Sequence, residues 1–246
     1  MRWRTVVITK TCKVDYCMGY LVVRDVEKTT KIHISEISML IVESTSVAVT
    51  VALLNELTKK SVKVIFCDEK HSPSFELTPY YDSCKSSLKL KQQIDWDDHI
   101  KQYIWTNIVA EKISNQAKVL KQFQLPQYTQ LLHYIDEIEF NDATNREGHS
   151  AKVYFNALFG KSFSRKNDCP INAMLNYGYS IILSAFNREV VSNGYITQLG
   201  LFHDNMFNQY NLSCDLKEPF RPFVDSIVKK SNPEKFDKEA KVQIYT

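Results

Sequence analysis

The sequence lacks several features that would each indicate a particular class of protein. Its six cysteines, at positions 12, 17, 67, 84, 169 and 214, include no CxxC pair. Neither a zinc ribbon nor a disulfide framework is therefore predicted, and reduced thiols are expected. A phosphate-binding GxxxxGK[ST] loop is also absent, so the sequence gives no sign that ATP is used.

Membrane and secretion signals are equally scarce. No apolar run approaches the roughly 18 residues that a membrane span requires. The N-terminal MRWRTVVITK has no apolar region that leads to a small-residue cleavage site, so we expect a cytoplasmic protein. The net charge is only +3, which means that any path for nucleic acid must come from a local basic patch.

The 246 residues, of which 44% are apolar and 24% charged, are typical of a globular protein with one large or two small domains. Short segments rich in Val, Ile and Thr predict strands over 4–9, 20–24, 30–34, 37–41 and 62–67. Helical spacing predicts one helix over 45–60, and then helices over 83–94, 99–120, 126–139, 145–159, 171–191 and 212–230.

Strands followed by helices indicate an α+β fold with segregated domains. We predict a small N-terminal β-rich domain over 1–80, sandwich-like with one helix, and a larger all-α domain over 87–246, with the boundary near 79–86. Segment 171–191 is apolar on nearly every face, so it is expected to be the central helix of the second domain. Its Asn-Tyr-Gly at 176–178 would let another helix approach closely.

Two stretches contain a possible metal site. His203 stands in a loop rich in glycine and asparagine, and Asp215 and Glu218 follow three residues apart, on one face of a predicted helix. Glu147 opens another helix, beside Arg146. An imidazole with two or three carboxylates is a plausible ligand set for a divalent ion, because oxygen donors suit Mg²⁺ or Mn²⁺ and Mn²⁺ also tolerates imidazole.

Each of these residues also has an ordinary structural interpretation. Glu147 lies three residues after Thr144, as in a capping box. Glu218 could be a solvated carboxylate favoured by a helix dipole, and His203 could be a hydrogen-bonded packing residue. Asp215 could orient His203 or a bound water, or cap its own helix.

The Glu218–Pro219 bond predicts a break in the helix, because a residue before proline is disfavoured in the helical region. Either Ser213 caps a helix that kinks at Pro219, or a new helix begins with Pro219 in its first position. In both cases Glu218 would lie at the break, where its carboxylate can turn away from the helix surface.

Four motifs carry a resemblance to a known family. They are KISNQ at Lys112–Gln116, NREGHSAKVYFNALFG, INAMLNYGYSIILSAFNREVV and GLFHDNMFNQYNLSCDLKEPFRP. With them the chain resembles the CRISPR-associated integrase family Cas1, in particular its type II-A branch, from the first strand nearly to the last residue. The resemblance implies that Glu147, His203 and Glu218 are catalytic and hold Mg²⁺ or Mn²⁺.

The resemblance also implies the reaction. The terminal 3′-hydroxyl of a captured foreign DNA fragment would attack a phosphodiester at the edge of a CRISPR repeat, without a covalent protein–DNA intermediate. Alternatives are a metal-dependent nuclease that does not integrate and a DNA-binding scaffold without catalysis. Cations near the acidic residues could contact phosphates: Arg146, Lys152, Lys161, Arg165, Lys166 and Arg221. Arg221 is the strongest of these candidates, because the EPFRP motif contains it.

The expected partners follow from the same resemblance. They are double-stranded DNA, a second copy of the chain bound through the N-terminal domain, the companion protein Cas2, and possibly other type II-A CRISPR proteins. The helical domain of the family usually continues beyond the position of Thr246. We therefore expect a further C-terminal segment that closes over DNA or a partner.

Overall fold

The computed structural model describes residues 4–79 and 86–244. The chain divides into two compact units, Met1–Asp82 and Ser83–Thr246. The boundary that the sequence predicts near 79–86 lies largely outside the described residues. Within the described ranges, no helix is both long and apolar enough to cross a membrane.

The first unit contains two four-stranded sheets. Its strands are β1 (Arg4–Ile8), β2 (Cys12–Cys17), β3 (Tyr20–Arg24), β4 (Thr29–His33), β5 (Ile37–Val42), β6 (Val47–Val49), β7 (Lys63–Cys67) and β8 (Pro73–Glu76). One sheet has the order β1-β5-β7-β8 and the other β4-β3-β2-β6. Buried residues of both sheets and of helix α1 (Val51–Lys59) form one apolar core, which confirms the predicted β-rich, two-sheet domain.

The predicted helix over 45–60 is wrong in its first part. It begins only at Val51, after Thr50, whose side-chain oxygen accepts the amide of Leu53 at 3.4 Å. The preceding Val47–Val49 is a strand parallel to β2. Its β-branched residues favour extended backbone. Strands β2, β6 and β8 were not predicted. Two of them, β2 and β6, pair with each other although they are distant in the chain.

The described part of the second unit contains helices and no strands. Its helices are α2 (Ser86–Ile94), α3 (Asp98–Gln122), α4 (Tyr128–Asp136), α5 (Arg146–Phe159), α6 (Pro170–Ser192), α7 (Asn211–Lys217), α8 (Arg221–Ser231) and α9 (Lys238–Val242). The α+β class with a separate helical region is therefore confirmed. Of the predicted helix over 83–94, only the part from Ser86 onward lies among the described residues.

The central helix of this unit is α3, not α6 as the apolar pattern predicts. Helix α3 packs against α4, α5, α7 and α8, and it buries Trp105, Val109 and Ile113 completely or nearly so. Helix α6 packs on α7, α8 and α9. Its run Ile181–Leu183 remains half-buried, so an apolar pattern on all faces did not require burial on all faces.

Candidate metal-binding active site

Glu147 lies in the first turn of α5, and other residues cap that helix. Asn145 has a left-handed backbone (φ 53°), and its side-chain oxygen accepts an amide of the first turn at 3.1 Å. Asp142 accepts the Glu147 amide at 3.0 Å. A capping box between Thr144 and Glu147 is therefore wrong, because Asn, which tolerates this backbone conformation, begins the helix. The Glu147 carboxylate is free to point elsewhere.

Glu218 begins a single 3₁₀ turn, Glu218–Phe220, between α7 and α8. Its own backbone stays helical (φ −53°, ψ −43°) despite Pro219, so the expected shift out of the helical region does not occur. Tyr210, rather than Ser213, precedes the first residue of α7. The helix changes to a 3₁₀ turn around Pro219, and no new helix begins at that residue. The Glu218 side chain is only 6% exposed.

Asp215 holds the loop that contains His203. Its buried carboxylate accepts the amides of Leu201, Phe202 and His203 at 2.6, 3.1 and 3.2 Å. It also lies 2.5 Å from Nδ1 of His203. Of the roles that the sequence left open for Asp215, orientation of His203 is the one that these contacts support. A carboxylate partner at Nδ1 leaves Nε2 of the ring for another ligand.

The His203 ring is also packed from one side. Trp105, which is buried, stacks on Phe202 with a centroid distance of 4.3 Å and meets the His203 ring edge-on at 5.7 Å. The hydrogen bond that His203 donates to Asp215 raises the pKa of His203. Burial opposes this effect, and the charges of Glu218 and Glu147 add to it. The charges of both glutamates therefore affect the pKa of His203, although its hydrogen-bond partner is Asp215.

Glu147 and Glu218, which we call the carboxylate pair, meet at one cation. The ammonium of Lys112 on α3 contacts Oε1 of Glu147 and Oε2 of Glu218, and Lys112 is 4% exposed. Arg221 donates to both oxygens of Glu218, at 2.9 and 3.2 Å. Burial alone would raise the pKa of Glu218, but Lys112 and Arg221 lower it to about 2.

The structure thus brings two of the three predicted ligands together around Lys112 and leaves His203 bonded to Asp215. Within the described ranges, three or more His, Cys, Asp or Glu side chains are not arranged as a group that could hold a metal ion. The donor chemistry nevertheless fits a hard divalent ion. Two carboxylates already share one cation position, and an oriented imidazole is electrostatically coupled to both.

Lys112 is the residue that sequence reasoning missed. It lies in the KISNQ motif, which contributed to the family resemblance but was given no chemical role. A signal was present, since Lys112 follows Val109 at helical spacing and precedes Ile113 within a buried stripe. A lysine at such a position needs a carboxylate partner.

Three of the predicted DNA contacts are engaged with protein groups. Arg165 donates to the side-chain oxygens of Asn172 and Asn176. Arg146 lies 3.2 Å from the Glu137 carboxylate. Arg221 is bound to Glu218, and its guanidinium lies 4.3 Å from the ring centroid of Tyr179. These contacts do not test DNA binding, which stays a prediction, but they give Arg221 a first role in holding Glu218.

Lys152 lines a cavity of about 360 Å³ beside the carboxylate pair. The cavity is lined by Lys112, Gln116, Glu147, Ala151, Lys152, Phe155, Asn156, Phe163, Arg165, Tyr179, Arg221 and Asp225. Of its four cationic side chains, Lys112 and Arg221 are bound to the carboxylate pair, so Lys152 and Arg165 supply the positive charge next to the acidic cluster. An anionic group such as a phosphate would suit it.

Comparison with known proteins places these motifs in a family. The family model described as CRISPR associated protein Cas1 matches residues 5–241. The CRISPR-associated endonuclease Cas1 of Neisseria meningitidis serogroup C (strain 8013) is 31% identical over 229 residues, which are 93% of this chain and 75% of that protein.

Solved structures share the fold. A Cas1 protein from Thermotoga maritima has a TM-score of 0.75 at 16% identity and covers 93% of this chain and 78% of its own. A casposase bound to integration product has a TM-score of 0.74 at 20% identity, over 94% and 72%. A chain of the Cas6-RT-Cas1–Cas2 complex has a TM-score of 0.69 at 20% identity, over 94% and 28%. These likenesses show the fold, and the family model and the Neisseria relative show that the chain belongs to the Cas1 family of CRISPR-associated proteins.

Proposed function

We propose that this chain is a divalent-metal-dependent DNA integrase of CRISPR adaptation. It joins the 3′-hydroxyl ends of captured foreign DNA to the CRISPR repeat by transesterification. The observation that carries the proposal is the convergence of Glu147 and Glu218 on one cation position, with His203 presented beside them by Asp215. The name of the Neisseria relative, an endonuclease, and the casposase bound to integration product support this chemistry.

In this reaction Glu147, Glu218 and Nε2 of His203 hold Mg²⁺ or Mn²⁺. When bound, the ion supplies charge neutralisation at the scissile phosphate and activation of the attacking hydroxyl. The Asp215 carboxylate keeps the proton of His203 on Nδ1, which leaves Nε2 as the ligand atom. Lys152 and the other cations of the adjoining cavity position the DNA phosphates, with Arg146 and Arg221 as further candidates.

The finer assignments belong to the same proposal. The protein acts in the cytoplasm, within the type II-A branch, as a homodimer that binds double-stranded DNA and Cas2. The Cas6-RT-Cas1–Cas2 complex and a Cas1–DNA complex among the proteins of the same fold support the two partners. The motifs that resemble the type II-A branch support the branch assignment.

A strand-transfer assay tests the reaction. Purified protein and Cas2 are incubated with a 3′-hydroxyl DNA fragment, a supercoiled plasmid that carries the repeat, and Mn²⁺. Joined strands are expected from the wild type and from Glu111→Gln, whose exposed carboxylate lies on α3 one residue before Lys112. Glu147→Gln should stay folded and bind DNA but join no strands.

Other outcomes would assign the chain differently. Clipped strands without joined products would identify a nuclease that does not integrate. A Glu147→Ala variant that melts at a lower temperature but keeps its full function would identify a scaffold whose acidic cluster is structural.

A further inference from the structure

We propose that Lys112 is an internal cation that holds the carboxylate pair together before the metal enters, and that the metal displaces it. This inference rests on the proposed function, because it concerns how the same site is loaded. Lys112 would thus be a positioning residue of a preformed metal cage. Its ammonium and the ion would occupy the cage in turn.

Lys112 completes a buried ion cluster. Lys112 is 4% exposed, and a buried ammonium is stable only when it is paired. Its two contacts come from α5 and from the 3₁₀ turn, which lie 71 positions apart in sequence. Without a cation between them, the like charges of the carboxylate pair would repel each other at short range. Lys112 therefore supplies the force that keeps the two oxygens at one point.

The charges of the cluster also favour displacement. The carboxylate pair carries two negative charges, and Lys112 and Arg221 already neutralise them at contact distance. Asp215, the buried partner of His203, adds a third negative charge. With a neutral His203, a divalent ion added to these groups would leave one excess positive charge in a largely buried site, which is unfavourable. Departure of one resident cation restores the balance.

Lys112 is the cation that can leave. Arg221 is held by one guanidinium nitrogen, which donates to both oxygens of Glu218, and by the ring of Tyr179, whereas a lysine is a point charge on a flexible stem. Lys112 also lines the cavity of about 360 Å³, together with Lys152 and Arg165. The cavity gives the displaced ammonium a place to move, where it can meet a DNA phosphate.

The cage itself is tied to the backbone of α3. Asn115, one turn after Lys112, donates from Nδ2 to the carbonyl oxygen of Pro219 at 2.9 Å. The 3₁₀ turn that carries Glu218 is thus fixed to the lysine-bearing helix independently of the Lys112 side chain. Withdrawal of the ammonium therefore leaves the backbone of this turn in place.

Calorimetric titration of the metal-free full chain with MnCl₂, without DNA, tests the displacement. Lys112→Met should bind Mn²⁺ at least tenfold more tightly than the wild type, because no resident cation has to leave. It should melt at a lower temperature without metal and recover when Mn²⁺ is added. Lys121→Met, at an exposed position of the same helix, should match the wild type. Equal or weaker binding by Lys112→Met would overturn the proposal.

Two further measurements separate displacement from simple loss of charge. Lys112→Arg keeps the charge but replaces the retractable ammonium with a rigid fork, so it should bind Mn²⁺ at least tenfold more weakly than the wild type; unchanged binding would count against displacement. A crystal structure of the wild type with Mn²⁺ should show the Lys112 ammonium away from both carboxylates. An ion bound with both lysine contacts intact would refute the idea even if Lys112→Met failed to fold.

Failure of the proposed function gives a different result. In that case the wild type would bind no Mn²⁺, and Glu147→Gln and Glu218→Gln would match it in the titration. If only the lysine proposal fails, the wild type binds Mn²⁺, these two variants lose binding, and the Lys112 variants bind like the wild type.

Discussion

The carboxylate of Asp215 lies 2.5 Å from Nδ1 of His203 and also accepts the backbone amide of that residue at 3.2 Å. The ring and its own backbone are therefore fixed by one buried group. Two preceding amides of the loop bind the same carboxylate. The loop and the imidazole form a single rigid unit, so a change at Asp215 must affect both.

Replacement of Asp215 by Asn tests this unit. The charged acceptor is lost, so we expect the pKa of His203 to fall, because the bond to Asp215 is the main cause of its elevation. We also expect Mn²⁺ affinity and strand transfer to fall about 10- to 100-fold, as for other residues that orient a metal-bound histidine. NMR titration of the imidazole, calorimetry and the strand-transfer assay measure these effects.

Asp204→Asn is the matched control, since its exposed carboxylate lies next to His203 in the sequence. It should leave the pKa of His203 and the assay nearly unchanged. If Asp215→Asn behaved like this control, Asp215 would have no role in orienting the ring.

Gly200 is a second determinant of the same loop. A Cβ at this position would lie 2.3 Å from the carbonyl oxygen of His203 and 2.8 Å from Oδ2 of Asp215. These distances are far below van der Waals contact, and the first atom belongs to the backbone, so the loop itself has to move. Gly200→Ala should lower the melting temperature and reduce strand transfer at least tenfold. Leu199→Ala, which shortens a partly exposed neighbour, should change strand transfer much less.

The low pKa of Glu218 makes the stability of the protein depend on pH. Its folded pKa is about 2 against 4.5 for the unconstrained group, so the unfolded state takes up a proton first as the pH falls. The resulting stabilisation is fully present above pH 4.5 and is lost as the pH falls from there towards 2. Its upper limit is on the order of 3 kcal/mol.

Urea unfolding of metal-free protein between pH 7 and pH 3 measures this contribution. The free energy of unfolding of the wild type should exceed that of Glu218→Gln at neutral pH, and the difference should shrink below pH 4.5. A difference that stayed constant over this range would show that the charge of Glu218 does not stabilise the fold.

Much of the fold follows from local patterns in the sequence. The helices carry apolar residues at helical spacing, and several strands are rich in Val, Ile and Leu, as in Ile37–Val42. The exceptions depend on distant partners. Val47–Val49 has only three residues and becomes a strand because it pairs with β2. No pattern local to 45–60 could show where the helix begins.

In the candidate site, too, some features follow from local sequence and others depend on distant partners. Glu147, His203 and Glu218 could be selected because their motifs resemble those of a family in which these positions hold a metal. The role of Lys112 could not, since it arises only when α3, α5 and the 3₁₀ turn meet. The predicted capping box was wrong for a local reason. Asn145 adopts a left-handed backbone and occupies the N-cap position that Thr144 was expected to occupy.

Gly178 on α6 packs closely against Val224 on α8. A Cβ on Gly178 would lie 2.5 Å from Cγ1 of Val224, which confirms the close approach expected from the Asn-Tyr-Gly sequence. Alanine normally stabilises a helix relative to glycine by roughly 0.5–1 kcal/mol. Here overpacking should dominate, so Gly178→Ala should lower the free energy of unfolding by about 1–3 kcal/mol.

A double-mutant cycle with Val224→Ala tests whether the clash causes this loss. Val224→Ala alone removes buried methyl groups and should destabilise the protein through the cavity it leaves. In the double variant the alanine at 178 occupies part of that space, so the free energies should be non-additive by at least about 1 kcal/mol in favour of the double variant. Because α8 begins at Arg221, which binds Glu218, strand transfer should fall in Gly178→Ala and recover in the double variant. Additive urea-unfolding energies would show that Gly178 is not required for the approach of the two helices.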